Sequence, residues 1–181
     1  MIILASQSPR RQELLKYITT DFEIRVSDVD ETLPDGISPS DAVLYLSSIK
    51  AKPFANGDDI VIGADTVVAL DGKILGKPKT TEEARQMLRF LSGREHSVFT
   101  GVTIANAEKS TSFAVETRVK FFDLTDDEIE RYIATGEPMD KAGAYGIQGY
   151  GSLLVESITG DYFNVVGLPV STLARKLISF S

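Results

Sequence analysis

The sequence predicts an α/β fold with a mixed, twisted β-sheet flanked by helices, and three observations carry that prediction. Helix-start signals built on Ser or Thr, two of them followed by proline, interleave along the chain with short apolar runs of strand character. Asp71-Gly72 stands between two such runs as a two-residue hairpin turn, so part of the sheet is expected to be antiparallel. The 181 residues, 43% of them hydrophobic, show no repeat, low-complexity stretch or linker, which makes residues 1–181 one domain around one substantial core.

The elements follow in order. Ile2 to Ala5 is a short apolar strand. Ser8-Pro9 starts a helix, with Ser8 as N-cap, Pro9 at the first helical position, and Leu14, Leu15 and Ile18 as the buried stripe. Phe22, Ile24 and Val26 alternate as a strand should and lead into the acidic run Asp28-Val29-Asp30-Glu31. Ser38-Pro39 opens a second helix with Asp41 in its first turn and Val43, Leu46 and Ile49 on one face. Ile60 to Ala64 reads as a buried strand that continues extended through Val67 to Leu70, turns at Asp71-Gly72 and returns along Lys73-Ile74-Leu75. Thr80 with Glu83 gives a capping box for a third helix that stops at Gly93. His96 to Ala105 and Thr111 to Leu124 are expected to pair antiparallel around Ala107-Glu108-Lys109. Thr125 with Glu128 caps a helix ending near Gly136-Glu137-Pro138. The glycine-rich Ala142 to Gly151 stretch is followed by two strands joined near Thr159-Gly160, and a last helix begins at about Pro169.

Composition excludes several chemistries. There is no cysteine, so no disulfide, thiolate nucleophile, Fe–S cluster or cysteine-based zinc site can exist. With one histidine a multi-histidine zinc site is excluded too, and a metal would need oxygen ligands, which favours Mg²⁺, Mn²⁺ or Ca²⁺. His96 follows a helix stop and reads as a surface-loop residue rather than a member of a Ser-His-Asp triad. A net charge of −7 argues against a nucleic-acid polymer or an anionic membrane as partner. No apolar run approaches a membrane span and Met1 to Ala5 is too short for a signal peptide, so a cytoplasmic location is expected.

Five segments carry chemical potential. Ser6-Gln7-Ser8-Pro9-Arg10-Arg11 brings two hydroxyls and two guanidiniums to a helix N-terminus, the geometry of an anion cradle, although capping and solvated arginines would explain it as well. Asp65 follows directly on an apolar strand, where a charge is costly unless paired, metal-bound or beside a cleft; a local turn aspartate is the plainer alternative. Lys50-Ala51-Lys52 and Gly76-Lys77-Pro78-Lys79 offer cations, or solvated ends. Asp28 to Glu31 is either a hard-cation ligand set or a polar strand end. Ala142 to Gly151 permits close backbone approach and carries Gln148, whose amide offers the donor and acceptor that a base edge requires; a plain glycine-rich turn between strands is the alternative.

Taken together, Leu4-Ala5-Ser6-Gln7-Ser8-Pro9-Arg10-Arg11, Gly63-Ala64-Asp65-Thr66-Val67, Gly76-Lys77-Pro78, Leu91-Ser92-Gly93, Asp140-Lys141-Ala142-Gly143-Ala144-Tyr145-Gly146-Ile147-Gln148-Gly149 and Val165-Val166-Gly167-Leu168-Pro169 span essentially the whole chain. With these motifs in this order the sequence resembles the Maf-like nucleoside triphosphate pyrophosphatases. The resemblance implies an ITPase-like fold with a nucleotide cleft, and hydrolysis of a nucleoside triphosphate to the monophosphate and pyrophosphate with a divalent cation, Mg²⁺ or Mn²⁺. It implies Asp65 as proton acceptor, with Glu31 and Lys77 sharing the catalytic work. Ser6, Ser8, Arg10, Arg11, Lys50, Thr66 and Gln148 become substrate contacts, and Glu31 and Asp65 metal ligands; whether Asp65 is base, ligand or both stays open. Arg10, Thr66 and Gln148 stand where the branch acting on methylated guanine nucleotides typically carries Trp, Gln and Glu, so the chain looks like the pyrimidine branch acting on dTTP and UTP. A nucleotide-binding regulator of septum formation and a pyrophosphatase for modified purine nucleotides are the competing functions, and a homodimer is left open.

Overall fold

Strand β3 (Ile60–Leu70) organises the sheet, because its two edges are used differently. One edge pairs antiparallel with β5 (Glu95–Ala105) from Val61 to Ala69. The other pairs parallel with β1 (Ile2–Ala5) over Ile60–Gly63 and antiparallel with β4 (Lys73–Leu75) over Val68–Leu70. Between these two partners Ala64 to Val67 has no neighbour on that edge, so the sheet forks there. The computed structural model describes residues 1–181. Its seven strands run in the order β2-β1-β3-β5-β6-β7, with β2 (Phe22–Ile24) parallel to β1, and β6 (Ser110–Phe121) and β7 (Val155–Thr159) antiparallel beyond β5; β4 branches from β3. The helices are α1 (Pro9–Leu15), α2 (Pro39–Ala51), α3 (Thr81–Leu91), α4 (Asp126–Ala134), α5 (Tyr162–Val166) and α6 (Val170–Phe180). None is long and apolar enough to cross a membrane.

The core divides at the fork. Leu4, Leu15, Ile62, Val102, Ile104, Leu173 and their neighbours join α1 and α6 to the β1 side, whereas Val68, Leu88, Val98, Phe121, Ile129 and Tyr145 join α3 and α4 to the β4 side. Helix α2 covers the opposite face, where it lies so close that a Cβ on Gly63 would collide with Ser47 O and one on Gly101 with Val43 O. Local signals formed where expected. Ser38 accepts from Asp41 N–H, Thr125 and Glu128 complete a capping box, and Asp71 and Gly72 both take positive φ (52° and 73°) as the tight hairpin demands.

Other expectations are corrected by the structure. Ser8 makes no side-chain cap; its own N–H donates to Ser6 Oγ (3.3 Å). Thr80 accepts from Glu83 N–H, but Glu83 reaches back to Lys79 N–H rather than to Thr80, so that box is incomplete. The expected second strand after Gly160 is helix α5, because Asp161 accepts from the N–H groups of Phe163 and Asn164 and caps it. Strand β2 stops at Ile24 and β6 at Phe121, short of the alternation read at Val26 and Leu124. The glycine-rich stretch joins α4 to β7 through 3-10 turns instead of linking strands.

His96 departs furthest from expectation. It is not a surface-loop residue but lies in β5, 2% exposed, bonded through Nε2 to the Tyr145 hydroxyl (2.6 Å) and edge-on to Phe121 and Tyr145. Burial pushes its pKa down to about 4. The unfolded chain therefore takes the proton first, near pH 6.5. The associated stability is complete above that pH and is lost as pH falls toward about 4, at roughly 1.4 kcal/mol per pH unit. Urea unfolding at pH 7, 5.5 and 4.5 is expected to show this slope, and His96→Phe to flatten it; an equal slope in both proteins would exclude His96 as its source.

Candidate active site

The fork in the sheet is the floor of a cleft of about 1010 Å³, and all ten residues singled out from the sequence line it. The turn from β1 into α1 supplies Ser6, Ser8, Arg10 and Arg11, and the connection from β2 to α2 supplies Glu31. Helix α2 supplies Lys50 from its last turn, and β3 supplies Asp65 and Thr66 at the unpaired edge. The loop after β4 brings Lys77, and the glycine-rich loop brings Gln148. Lys52 and Lys79, the other halves of the two basic segments, lie outside the cleft. Successive side chains on a strand face opposite ways, so Asp65 turns toward α2 and Thr66 toward α1.

Asp65 is bound at once. Lys50 Nζ lies 2.5 Å from Asp65 Oδ1 and 3.3 Å from Glu31 Oε1, with side chains 17%, 13% and 54% exposed for Lys50, Asp65 and Glu31. Two carboxylates thus converge on one cation position at the cleft wall. No group of three or more His, Asp or Glu side chains forms a metal cage. A pair of carboxylates with room for phosphate oxygens and water is nevertheless the donor set that Mg²⁺ characteristically uses, so these residues fit such an ion.

Arg11 is anchored rather than free. Its Nε donates to Gly167 O (2.8 Å), Nη1 to Ser6 Oγ (3.3 Å) and Nη2 to Thr66 Oγ1 (3.0 Å). Burial lowers its pKa and the nearby Asp65 opposes that shift; a guanidinium keeps its charge regardless. Behind it runs a chain of hydroxyls: Thr66 Oγ1 lies 2.8 Å from Thr100 Oγ1, which donates to Asn164 O (3.0 Å). Since the Thr100 proton is engaged by Asn164, Thr66 must donate to Thr100. Thr66 therefore has no proton to offer a ligand, only a lone pair, and its main contact is with Arg11. Arg10 and Lys77 have no ion-pair partner and face the cleft.

Glu137, Asp140 and Lys141 also line the cleft and carried no assigned role in the sequence. Lys141 Nζ donates to Asp140 Oδ1 (2.8 Å) and to Glu137 O (3.1 Å), and the first bond holds the Asp140 carboxyl below its ordinary pKa. Asp140 and Lys141 stood inside the longest motif and could have been found there; Glu137, beside Pro138, looked only like the end of a helix. In all, five cations (Arg10, Arg11, Lys50, Lys77, Lys141) face five carboxylates (Asp28, Glu31, Asp65, Glu137, Asp140). This balance sets the cleft apart from a chain whose net charge is −7, but leaves no surplus to neutralise a polyanion unaided.

Comparison with known proteins places the chain among relatives of known description. The family model described as Maf-like protein matches residues 1–180. A dTTP/UTP pyrophosphatase of Bacillus cereus (strain B4264) is 52% identical over 181 residues, covering 99% of this chain and 95% of the relative. The protein of the same name from Bacillus cereus (strain AH187) is 53% identical with the same coverage. Among solved structures, the Staphylococcus aureus Ham1 protein superposes with a TM-score of 0.56 over 99% of both chains at 17% identity, a likeness of fold.

Proposed function

The chain belongs to the Maf-like protein family, and from that premise we propose that it hydrolyses dTTP and UTP to the nucleoside monophosphate and pyrophosphate in this cleft. The observation that carries the reading is the convergence of Asp65, Lys50 and Glu31 at the break in β3, opposite Arg10, Arg11 and Lys77. Names shared by relatives at 52–53% identity support the activity and the pyrimidine substrates.

Asp65 orients the attacking water and accepts its proton while the α–β anhydride breaks. Lys50 holds the Asp65 carboxylate in place until substrate arrives, and its short bond keeps that carboxylate aimed. Arg10 and Lys77, lacking protein partners, take up charge on the departing pyrophosphate; Arg11 contributes the N–H groups left over from its three protein bonds. Glu31 and Asp65 would hold a divalent cation, which would supply the charge neutralisation that the balanced cleft lacks. Gln148, exposed on the glycine-rich loop with no side-chain hydrogen bond, is the group available to pair with the pyrimidine edge. Every proposed contact comes from one copy of the chain, so the chemistry does not require a dimer. The work suits nucleotide housekeeping in the cytoplasm.

Pyrophosphate release is the test. With Mg²⁺ or Mn²⁺, dTTP and UTP are expected to turn over at least about tenfold more efficiently than purine triphosphates, methylated guanine nucleotides included. EDTA is expected to abolish the signal. Binding of dTTP without release of pyrophosphate would instead make the chain a nucleotide-binding regulator, and preference for the methylated purine would move it to the other branch.

A further inference from the structure

We propose that Glu137 and Tyr132 are positioning residues for base recognition, a clasp that fixes both ends of the Gly146–Gly151 loop and thereby aims Gln148 into the cleft. The proposal deepens the hydrolytic function above and rests on it for the identity of the bound base. Tyr132 lies in α4, and burial raises its pKa, so the phenol stays protonated. Its hydroxyl donates to Glu137 Oε1 (2.9 Å) and accepts from Gly146 N–H (3.1 Å). Glu137 Oε1 also accepts from Gly151 N–H (3.0 Å), and Oε2 accepts from Tyr150 N–H (3.1 Å). One carboxylate and one phenol therefore bind the backbone on either side of Gln148. The loop is drawn so tight that a Cβ on Gly151 would meet Gly146 O.

The consequence is entropic. A glycine-rich segment loses more freedom on ordering than any other kind of chain, so an unfastened loop would have to be ordered at each binding event. The clasp does that ordering in advance. Gln148 itself remains exposed and unbonded, which leaves its amide for a ligand. Asp65, Lys50 and Lys77 make no hydrogen bond or ion pair with the clasp, so the effect belongs to base recognition rather than to the hydrolytic step.

Glu137→Gln keeps the size of the side chain but turns an NH₂ group toward a backbone N–H. The expected result is a KM for dTTP and UTP raised about 10-fold, a kcat reduced by less than about threefold, and a pyrimidine-over-purine preference reduced about 10-fold. Tyr132→Phe, which preserves the buried ring, is expected to move the same quantities in the same direction, and the double variant to be non-additive because both act on one loop. Unchanged KM and preference in both variants, or equal loss of kcat on every nucleotide at constant KM, would overturn the proposal. Amide hydrogen exchange on the ligand-free protein separates the two ideas. Faster exchange at Gly146, Tyr150 and Gly151 in Glu137→Gln supports the clasp, and unchanged exchange refutes it, whatever the substrate. If wild-type protein releases no pyrophosphate from any triphosphate, the hydrolytic function fails while exchange still judges the clasp.

Discussion

Asp65→Asn is expected to lower kcat for dTTP by about 10²–10⁴-fold while the protein remains folded. Asparagine matches aspartate in shape, so the break in β3 keeps its geometry, and Asn Oδ1 can still accept from Lys50. What disappears is the negative charge and the capacity to take a proton. Lys50 retains Glu31 at 3.3 Å, so its ammonium is not left alone, and the stability cost should stay within about 2 kcal/mol. Thermal unfolding measured beside pyrophosphate release separates the two effects. Metal titration then assigns the role. If Asp65 serves as a metal ligand, raising Mg²⁺ recovers a large part of the lost rate; if it serves as the base, saturating metal recovers little. Turnover within about tenfold of wild type at ordinary Mg²⁺ would remove Asp65 from the catalytic step altogether.

The sequence exposed those features whose causes are local. Asp71-Gly72 announces its hairpin because two adjacent residues supply the positive φ that the turn needs, and Thr125 with Glu128 announces a helix because both partners of the cap lie within one turn. The ten cleft residues were legible for a different reason: eight lie in the ordered motifs, Glu31 and Lys50 lie in the acidic and basic segments outside them, and the fold brought all ten to one cleft. Features set by distant contacts were not legible. His96 is buried because Phe121 and Tyr145 close over it, and nothing in Gly93-Arg94-Glu95-His96 signals this. Thr66 looked free to meet a base, but its proton goes to Thr100, 34 residues away. Glu137 stayed hidden because the N–H groups it accepts lie 13 and 14 residues further on, where only the folded loop brings them.

Gly63→Ala joins the fold to the chemistry, and it is expected to damage both. A Cβ at this position would fall on Ser47 O and Ala51 N, both backbone atoms of α2, so no side-chain rotation can relieve the contact. The helix must move away from the sheet, against the second seat that Gly101 provides under Val43 and Leu44. Overpacking against backbone costs about 3 kcal/mol or more, which for a chain of this length lowers the unfolding midpoint by roughly 6–12 °C. Lys50 is the residue just before Ala51, so displacing α2 also displaces the ammonium that holds Asp65. Misplacement by about 1 Å near reacting groups costs up to about 10²-fold, and kcat/KM of the folded fraction should fall accordingly. Gly57→Ala is the matched control: nothing lies within 4 Å of its Cβ position, and stability should change by less than about 0.5 kcal/mol. An unfolding midpoint for Gly63→Ala equal to that of the control would mean that α2 does not rest on β3 as described. A lowered midpoint with intact kcat/KM would mean instead that Lys50 follows Asp65 through the displacement, and that the ion pair, rather than the helix seat, keeps the two together.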